Sequence, residues 1–182
     1  LLDLECDVFT SGNHIFDKRE IVAQFDDFQC LLRPGNLPKG TPGVGYKIIE
    51  KNGYKVAVIN AIGRVFMPPS DCPFQYLERL VDDIRKETEL IILDFHAEAT
   101  SENQAAGWFL DGKVSAVFGT HTHIQTADDR ILPNQTGFIT DVGMTGPYNS
   151  ILGMEIAPIL KRFKDQMPTR FSAVEKGEKI LN

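Results

Sequence analysis

The chain has 182 residues, 42% of them hydrophobic and 24% charged, and its formal net charge at pH 7 is −6. This length and composition are typical of one globular domain, which we predict over residues 1–182, and they exclude a disordered or fibrous protein. The apolar runs are far shorter than the roughly 20 residues of a membrane-spanning helix, so no membrane partner is expected. The acidic balance argues against a surface for duplex nucleic acid.

The cysteines set a further limit. Cys6, Cys30 and Cys72 are odd in number and widely spaced, and no two of them form a CxxC pair. This pattern indicates neither a disulfide framework nor a zinc-thiolate site. We therefore expect a reducing, cytoplasmic location.

Short apolar runs alternate with helical patterns along the chain, which predicts an α/β fold. In the first half, residues 6–12 (CDVFTSG) are typical of a strand, and residues 17–27 of a short helix capped by Asp17. Residues 33–45 hold three prolines among four glycines, which indicates an irregular crossing or part of a pocket wall. The dipeptide Asn52-Gly53 favours a tight turn between two antiparallel strands.

The second half continues this alternation. Residues 71–89 carry apolar side chains at helical spacing, which predicts a surface helix covering a sheet. Residues 90–95 and 114–119 are short, almost wholly apolar runs, as in central strands buried on both faces, and residues 137–140 repeat the pattern more weakly. The remaining predictions are an amphipathic helix over 156–164, a closing hairpin over 170–182, and a core position for Trp108 in the helical stretch 102–110.

All the histidines of the chain follow strand-like runs directly; they are His14, His96, His121 and His123. In open α/β sheets, ligands bind beyond the carboxyl ends of the strands, so these imidazoles are expected to meet at one edge. A single histidine at a strand end is more often a hydrogen-bonded structural residue than a ligand. The shared position of all of them, in contrast, predicts a metal site, because neutral imidazole is the commonest metal ligand in proteins.

The residues around the histidines refine this prediction. Residues two apart in extended backbone lie on one side, so the rings of His121 and His123 can reach one centre or two adjacent ones. Imidazole together with the Asn13 oxygen suggests Mn, Fe, Mg or Zn. Asp94 and Glu98 flank His96 and are expected either to orient its ring or to be ordinary solvated or capping acids.

Several longer motifs resemble one known family. The chain is similar to the YmdB-like branch of the calcineurin-like metallophosphoesterases over nearly its whole length. The motifs that carry this resemblance are GNHIFD, LLRPGNLPKGTPGVGY, INAIGRVFMPP, DFHAEATSE, VFGTHTHIQTAD and ITDVGMTGPYNSILGM. The resemblance implies an α/β fold in which a metallophosphoesterase-like β-sandwich is flanked by helices.

The resemblance also implies a function, which is hydrolysis of phosphodiesters, including cyclic nucleotides, with two divalent metal ions, Fe, Mn or Mg in preference to Zn. Asn13 would be a metal ligand that bridges toward the second ion. His96 and His121 would bind one metal ion and His123 the other. The role implied for His14 is that of the catalytic histidine. We further expect Gly143 and Gly146 to line the substrate pocket, although turn glycines more often serve geometry alone.

Members of this family begin with a strand carrying GD and continue to a GEN segment, which supply an Asp, a bridging Glu and an Asn. Both segments would precede Leu1, and the chain opens without Met inside an α/β pattern. We therefore expect a domain that lacks its first strands at the N-terminus, although a processed N-terminus would look the same.

Three functions remain open at this point. In a di-metal phosphodiesterase, the metal-bound hydroxide would attack and His14 would protonate the leaving oxygen, unless His14 only hydrogen-bonds substrate or Asp17. A barrel-type hydrolase also uses His-x-His, but that fold needs about 200 residues or more. The third function is a catalytically weak or inactive binding or regulatory protein. The expected partner is a small phosphodiester or nucleotide, and homo-oligomerisation is left open.

Overall fold

A computed structural model of the chain describes residues 5–181; residues 1–4 and 182, and with them the opening segment at Leu1, lie outside it. The described residues form four α-helices: α1 (Arg19–Gln24), α2 (Pro73–Ile84), α3 (Thr100–Leu110) and α4 (Ile156–Asp165). They also form eight strands: β1 (Tyr46–Lys51), β2 (Tyr54–Ile62), β3 (Ile91–His96), β4 (Ala116–Thr120), β5 (Arg130–Ile131), β6 (Gly137–Ile139), β7 (Gly146–Pro147) and β8 (Lys179–Ile180). No helix among these residues is both long and apolar enough to cross a membrane.

Six of these strands form one mixed sheet in the order β1-β2-β3-β4-β6-β5. Strands β2, β3, β4 and β6 run parallel, whereas β1 and β5 pair antiparallel with their neighbours at the two edges. The predicted α/β class is confirmed, and the two apolar runs predicted as central strands are the central strands β3 and β4. The other two strands, β7 and β8, form a separate two-stranded ribbon among the described residues.

The predicted hairpin joins β1 to β2. Tyr54 pairs with Lys51 across the turn, and the φ angles of Asn52 and Gly53 are 53° and 81°. Two successive positive φ angles define the turn that matches the twist of a hairpin, and Asn-Gly is the dipeptide that adopts it most readily. The prediction is therefore confirmed for its stated reason.

The core lies between the sheet and the helices α2 and α3. Helix α2 begins at Pro73, whose fixed φ suits the first helical turn, and it buries Leu77, Val81 and Ile84. These side chains pack in one cluster with residues of the central strands, such as Phe95 of β3. Each such side chain contributes about 1.5–3 kcal/mol by leaving water, so this packing fixes the position of β3.

Two predictions near the N-terminus are wrong. Residues 6–12 do not form a strand, because only Phe9 makes a β-bridge, to Leu31, before the chain turns toward the histidine site. Asp17 does not cap α1: the N-cap is Lys18, which makes no side-chain hydrogen bond to the helix. Asp17 accepts a hydrogen bond from a ring nitrogen of His14 instead.

Two predictions in the second half are also wrong. β8 pairs with β7 rather than within residues 170–182, so the closing segment returns to an earlier part of the chain; Asn182 lies outside the described residues. Trp108 is not a core residue, since 53% of it is exposed and the Arg130 guanidinium lies 5.7 Å from its ring centroid. The buried face of α3 runs through Asn103, Ala106 and Leu110 instead.

The proline-rich loop 33–45 is irregular, and it also forms part of a cavity wall. The guanidinium of Arg33 holds the loop together by donating to the backbone carbonyls of Pro34, Gly35, Thr41 and Pro42. Together with α2, the loop encloses a cavity of about 510 Å³.

Candidate metal centre

The parallel strands end at one edge of the sheet, and His96 is the last residue of β3 at that edge. Its Nδ1 lies 2.9 Å from Oγ1 of Thr120, the last residue of β4, and this hydroxyl donates to Oδ1 of Asp94 at 2.8 Å. Because the hydroxyl proton is directed at Asp94, Oγ1 accepts a hydrogen bond from Nδ1–H of His96. The other ring nitrogen, Nε2, therefore carries a lone pair and points away from the sheet.

His121 is oriented in the same manner by Glu98. Its Nε2 lies 2.9 Å from Glu98 Oε2, so Nε2–H donates to this carboxylate and Nδ1 carries the lone pair. His121 Nδ1 is 3.1 Å from His96 Nε2, and the two rings meet edge to face with centroids 4.8 Å apart. The sequence left Glu98 either orienting the His96 ring or serving as an ordinary solvated or capping acid; it orients the neighbouring ring of His121 instead.

Asn13 completes a cluster of three lone-pair atoms. Its Oδ1 lies 2.9 Å from His96 Nε2, which itself faces the Nδ1 lone pair of His121 at 3.1 Å. Burial, followed by repulsion from the charges of His121, His14 and His123, lowers the pKa of His96 to about 4, so this ring is neutral near pH 7 and its one proton lies on Nδ1, beside Thr120. Adjacent ligands about 2.1 Å from one octahedral ion lie about 3.0 Å apart, and the observed separations match this value.

This cluster consists of two imidazoles and one amide. Within residues 5–181, no group of three or more His, Cys, Asp or Glu side chains is arranged to hold a metal ion without help from other donors. The nearby carboxylates of Asp94 and Glu98 are occupied by the Thr120 hydroxyl and the His121 ring. Nitrogen donors with an amide oxygen fit a transition-metal ion, and the identity of the metal, predicted as Mn, Fe, Mg or Zn, stays a prediction.

Gly12 allows His96 to reach this position. A Cβ atom at residue 12 would lie 2.3 Å from both Cε1 and Nε2 of the His96 ring, a separation that no real side chain tolerates. Sequence reasoning did not single out Gly12. The feature of the sequence that could have indicated it is its position directly before Asn13, where the backbone passes against the His96 imidazole.

His14 lies beside the cluster and is exposed. Its Nδ1 is 2.8 Å from Asp17 Oδ2, which fixes one ring nitrogen as the donor, and its Nε2 is 3.4 Å from the Asn13 amide nitrogen. The second ring nitrogen of His14 is therefore held on the side of the metal-ligand candidate Asn13.

The segment from His121 to His123 has an unusual backbone. The φ angles of His121 and His123 are 112° and 66°, values that residues with a side chain rarely adopt. The buried carboxylate of Asp141 holds the segment: Oδ2 accepts from Thr122 N at 2.9 Å and from Thr122 Oγ1 at 2.8 Å, and Oδ1 accepts from Gly143 N at 2.7 Å. Sequence reasoning missed Asp141, although it follows β6 at the same edge of the sheet.

His123 also forms part of a pocket next to the cluster. This pocket has a volume of about 340 Å³, and its walls include Met144, Pro147 and Tyr148. Gly143 adopts a φ of 79° beside Asp141, and Gly146 begins β7. Neither glycine is among the residues that line this pocket, and their predicted role in binding substrate stays a prediction.

Comparisons with known proteins identify the family of the chain. A family model for YmdB-like proteins matches residues 1–182. The 2′,3′-cyclic-nucleotide 2′-phosphodiesterase of Bacillus subtilis (strain 168) is 54% identical over 175 residues, which are 96% of this chain and 66% of that protein.

Two crystal structures are also similar. A hypothetical protein from Thermus thermophilus matches with a TM-score of 0.89 and 41% identity, covering 97% of this chain and 69% of that one. A novel phosphatase from Mycoplasma pneumoniae matches with a TM-score of 0.86 and 33% identity, covering 96% of this chain and 64% of that one. The chain thus spans about two thirds of the length of these relatives. Since the family model covers every residue and the sequence identity to a relative exceeds one half, the chain belongs to the YmdB-like family.

Proposed function

We propose that this chain carries the histidine cluster of the active site of a metal-dependent phosphodiesterase that hydrolyses small phosphodiesters such as 2′,3′-cyclic nucleotides. The observation that carries the proposal is the cluster of three lone pairs, on His96 Nε2, His121 Nδ1 and Asn13 Oδ1, at separations of 2.9 and 3.1 Å. Such atoms repel one another unless a cation lies among them. The name of the Bacillus subtilis relative supports the choice of substrate.

The proposed cofactors are two divalent ions, with Fe, Mn or Mg favoured over Zn. His96, His121 and Asn13 would hold the first ion, and His123 would hold the second with Asn13 directed toward it. When bound, such ions neutralise charge on the phosphate oxygens and lower the pKa of the water that attacks phosphorus. The protein's contribution is orientation: Thr120 and Glu98 each fix the tautomer of one imidazole, which leaves its ligating nitrogen unprotonated.

His14 is proposed as the proton donor to the leaving oxygen. Asp17 accepts a hydrogen bond from Nδ1–H of His14, so the ring presents Nε2 toward the side of Asn13. The exposed position of His14 allows the ring to exchange its proton with solvent after each turnover. For a 2′,3′-cyclic nucleotide, the oxygen that receives this proton would be the ribose 2′ oxygen.

One observation favours a second function, that of a catalytically weak or inactive binding or regulatory protein. The carboxylates of Asp94 and Glu98 bind Thr120 and His121, so the ligand atoms of the cluster carry no negative charge. Ions held by neutral donors alone bind less tightly.

The cytoplasmic location and a homo-oligomeric state stay predictions.

The first experiment is metal analysis of the purified chain by inductively coupled plasma mass spectrometry after loading with Mn²⁺. We expect two equivalents per chain, lost in the His121→Ala, His123→Ala double variant. Turnover of bis-p-nitrophenyl phosphate and of adenosine 2′,3′-cyclic monophosphate is then measured on the same sample. Metal binding without turnover would favour the binding or regulatory protein, and no metal binding would overturn the proposed phosphodiesterase.

A variant of the proton donor tests the mechanism separately. His14→Ala is expected to keep its metal and to lose at least about 100-fold in kcat, in line with the usual contribution of a general acid. Unchanged turnover in the metal-loaded variant would remove His14 from catalysis.

A further inference from the structure

We infer that the pocket beside His123 is a nucleobase subsite, in which Tyr148 stacks on the base of a nucleotide whose phosphate lies at the histidine cluster. This inference rests on the proposed function and adds the part of the substrate that the protein recognises. It assigns a binding role to the chain around the β7–β8 ribbon, which contributes no candidate metal ligand.

The position of the pocket connects it to the site. Its walls come from three segments: the turn after β4 with His123, Ile124 and Gln125, the chain around β7 between residues 144 and 152, and Ile180 of β8. His123 is thus both a candidate metal ligand and a wall of the pocket. A nucleotide whose phosphate lies at the histidines would place its ribose and base directly at this opening.

The size and lining suit a base. The volume of about 340 Å³ falls within the range of about 300–1,000 Å³ that is usual for small-molecule sites. Ile124, Leu152 and Tyr148 are 61%, 45% and 64% exposed, so apolar and aromatic surface remains uncovered beside the candidate metal ligands. A flat base gains from covering such surface, and every base has a face that stacks on an aromatic ring.

The polar groups of the pocket divide into two kinds. The Ser150 hydroxyl donates to Pro147 O at 2.7 Å and accepts from Gly153 N at 3.0 Å, so it stabilises the wall. The exposed amide of Gln125 offers both a donor and an acceptor to a ligand. An amide of this kind can hydrogen-bond to the edge of a base whose face lies on Tyr148.

The backbone holds Tyr148 in place. Tyr148 N donates to Glu178 O at 2.8 Å, next to the β7–β8 ribbon, and Ile151 and Met154 exchange two backbone hydrogen bonds of 2.9 and 3.0 Å. The aromatic ring is therefore carried by a paired segment rather than by a free loop. A stacking group that is already positioned loses less conformational entropy when it binds.

The test compares a substrate that has a base with one that lacks it. The substrates are adenosine 2′,3′-cyclic monophosphate and 1-O-methylribose 2′,3′-cyclic phosphate, and the variants are Tyr148→Ala, Tyr148→Phe and Tyr54→Ala. Tyr54 is a matched control because it is 66% exposed but begins β2 at the hairpin, at the opposite end of the sheet from the site. We expect Tyr148→Ala to lower kcat/KM for the adenosine substrate about tenfold and to leave the base-free substrate unchanged. Tyr148→Phe and Tyr54→Ala should resemble the wild type.

A binding measurement separates this inference from the proposed function. Calorimetric titration with adenosine 3′-monophosphate should give an affinity about tenfold weaker for Tyr148→Ala than for the wild type, whether or not the chain turns over substrate. If this difference is found and no substrate is hydrolysed, the subsite stands and the proposed function fails. If hydrolysis is found but Tyr148→Ala affects both substrates equally or neither, the subsite is wrong. Absence of binding by the wild type would also overturn it.

Discussion

Glu98 Oε2 lies 2.9 Å from His121 Nε2, so a carboxylate two residues beyond the end of β3 fixes the ring of a histidine that follows β4. The bond determines which nitrogen of His121 keeps its proton, and it leaves Nδ1 to face His96. Because β3 and β4 are parallel neighbours, the residues beyond their ends meet without any long connection. The free lone pair of a histidine beyond the end of β4 therefore depends on a carboxylate beyond the end of β3.

The first prediction concerns this carboxylate. Glu98→Ala should weaken Mn²⁺ binding about 10- to 100-fold, because His121 loses the acceptor that fixes its tautomer. Glu98→Gln should weaken Mn²⁺ binding less than Glu98→Ala, since its amide oxygen can still accept a hydrogen bond from Nε2–H of His121. The measurement is equilibrium dialysis with Mn²⁺, and Glu50→Ala on the exposed strand β1 is the control. Equal Mn²⁺ affinity in Glu98→Ala and Glu50→Ala would show that Glu98 does not orient the ligand.

The second prediction concerns the carboxylate of Asp141, which is 1% exposed. Asp141→Ala removes the acceptor of the Thr122 backbone N–H and hydroxyl and of the Gly143 N–H, and it leaves donors without partners. We expect a loss of about 3 kcal/mol in the free energy of unfolding, from the lost bonds to a charged acceptor. Urea denaturation measures it, with the exposed Asp129→Ala as control.

Metal binding gives a second readout for Asp141. Since Thr122 lies between His121 and His123, release of its backbone should also lower the Mn²⁺ stoichiometry of the folded protein. An Asp141→Ala variant that unfolds at the wild-type urea concentration and still binds two equivalents of Mn²⁺ would contradict both expectations.

The sequence predicted those features that depend on local pattern. Apolar runs placed β3 and β4 in the centre of the sheet, and Asn52-Gly53 placed the hairpin, because burial and turn geometry act on neighbouring residues. The convergence of His96 and His121 followed from one rule, that parallel strands end at the same edge, whereas Asn13 reaches this edge from a segment that forms no strand.

Features that depend on register between distant segments were not predicted. Which carboxylate contacts which imidazole depends on how far each loop extends beyond β3 or β4, so the sequence does not indicate that Glu98 contacts His121. Phe9 pairs with Leu31 alone because the chain must turn at Gly12 to bring Asn13 to His96. The β7–β8 pairing joins residues more than 30 positions apart, and no local pattern indicates it.

The third prediction concerns the close contact of Gly12 with His96. Gly12→Ala would place a methyl group 2.3 Å from the His96 ring, so the ring or the backbone must move. We expect Mn²⁺ affinity to fall at least about tenfold, since ligands must be held within about 0.5 Å of their productive positions. The control is Gly137→Ala, whose new Cβ would meet its neighbours at 3.5 Å or more. If both variants bind Mn²⁺ as the wild type does, the contact at Gly12 does not position the ligand.

The last prediction concerns Glu102, a carboxylate of α3 that is 8% exposed. Its oxygens accept backbone N–H bonds from Arg64 and Val65 at 3.0 to 3.1 Å, which holds the turn after β2, and Gly63 N in the same turn donates to His96 O. Glu102→Ala leaves these amides without their acceptor, so we expect a loss of about 2–3 kcal/mol in the free energy of unfolding. Urea denaturation measures this loss, and Glu102→Gln, which keeps one acceptor oxygen, should lose about half as much.

Metal binding distinguishes this effect from that of the ligand-orienting residues. Glu102 contacts the backbone of the turn after β2 and none of the imidazoles. The folded Glu102→Ala variant should therefore bind Mn²⁺ within about threefold of the wild-type affinity. This loss is much smaller than the one expected when a group that orients a ligand is removed. A large loss of Mn²⁺ affinity with little loss of stability would mean that the turn after β2 positions His96 itself. That result would add Glu102 to the residues on which the candidate metal centre depends.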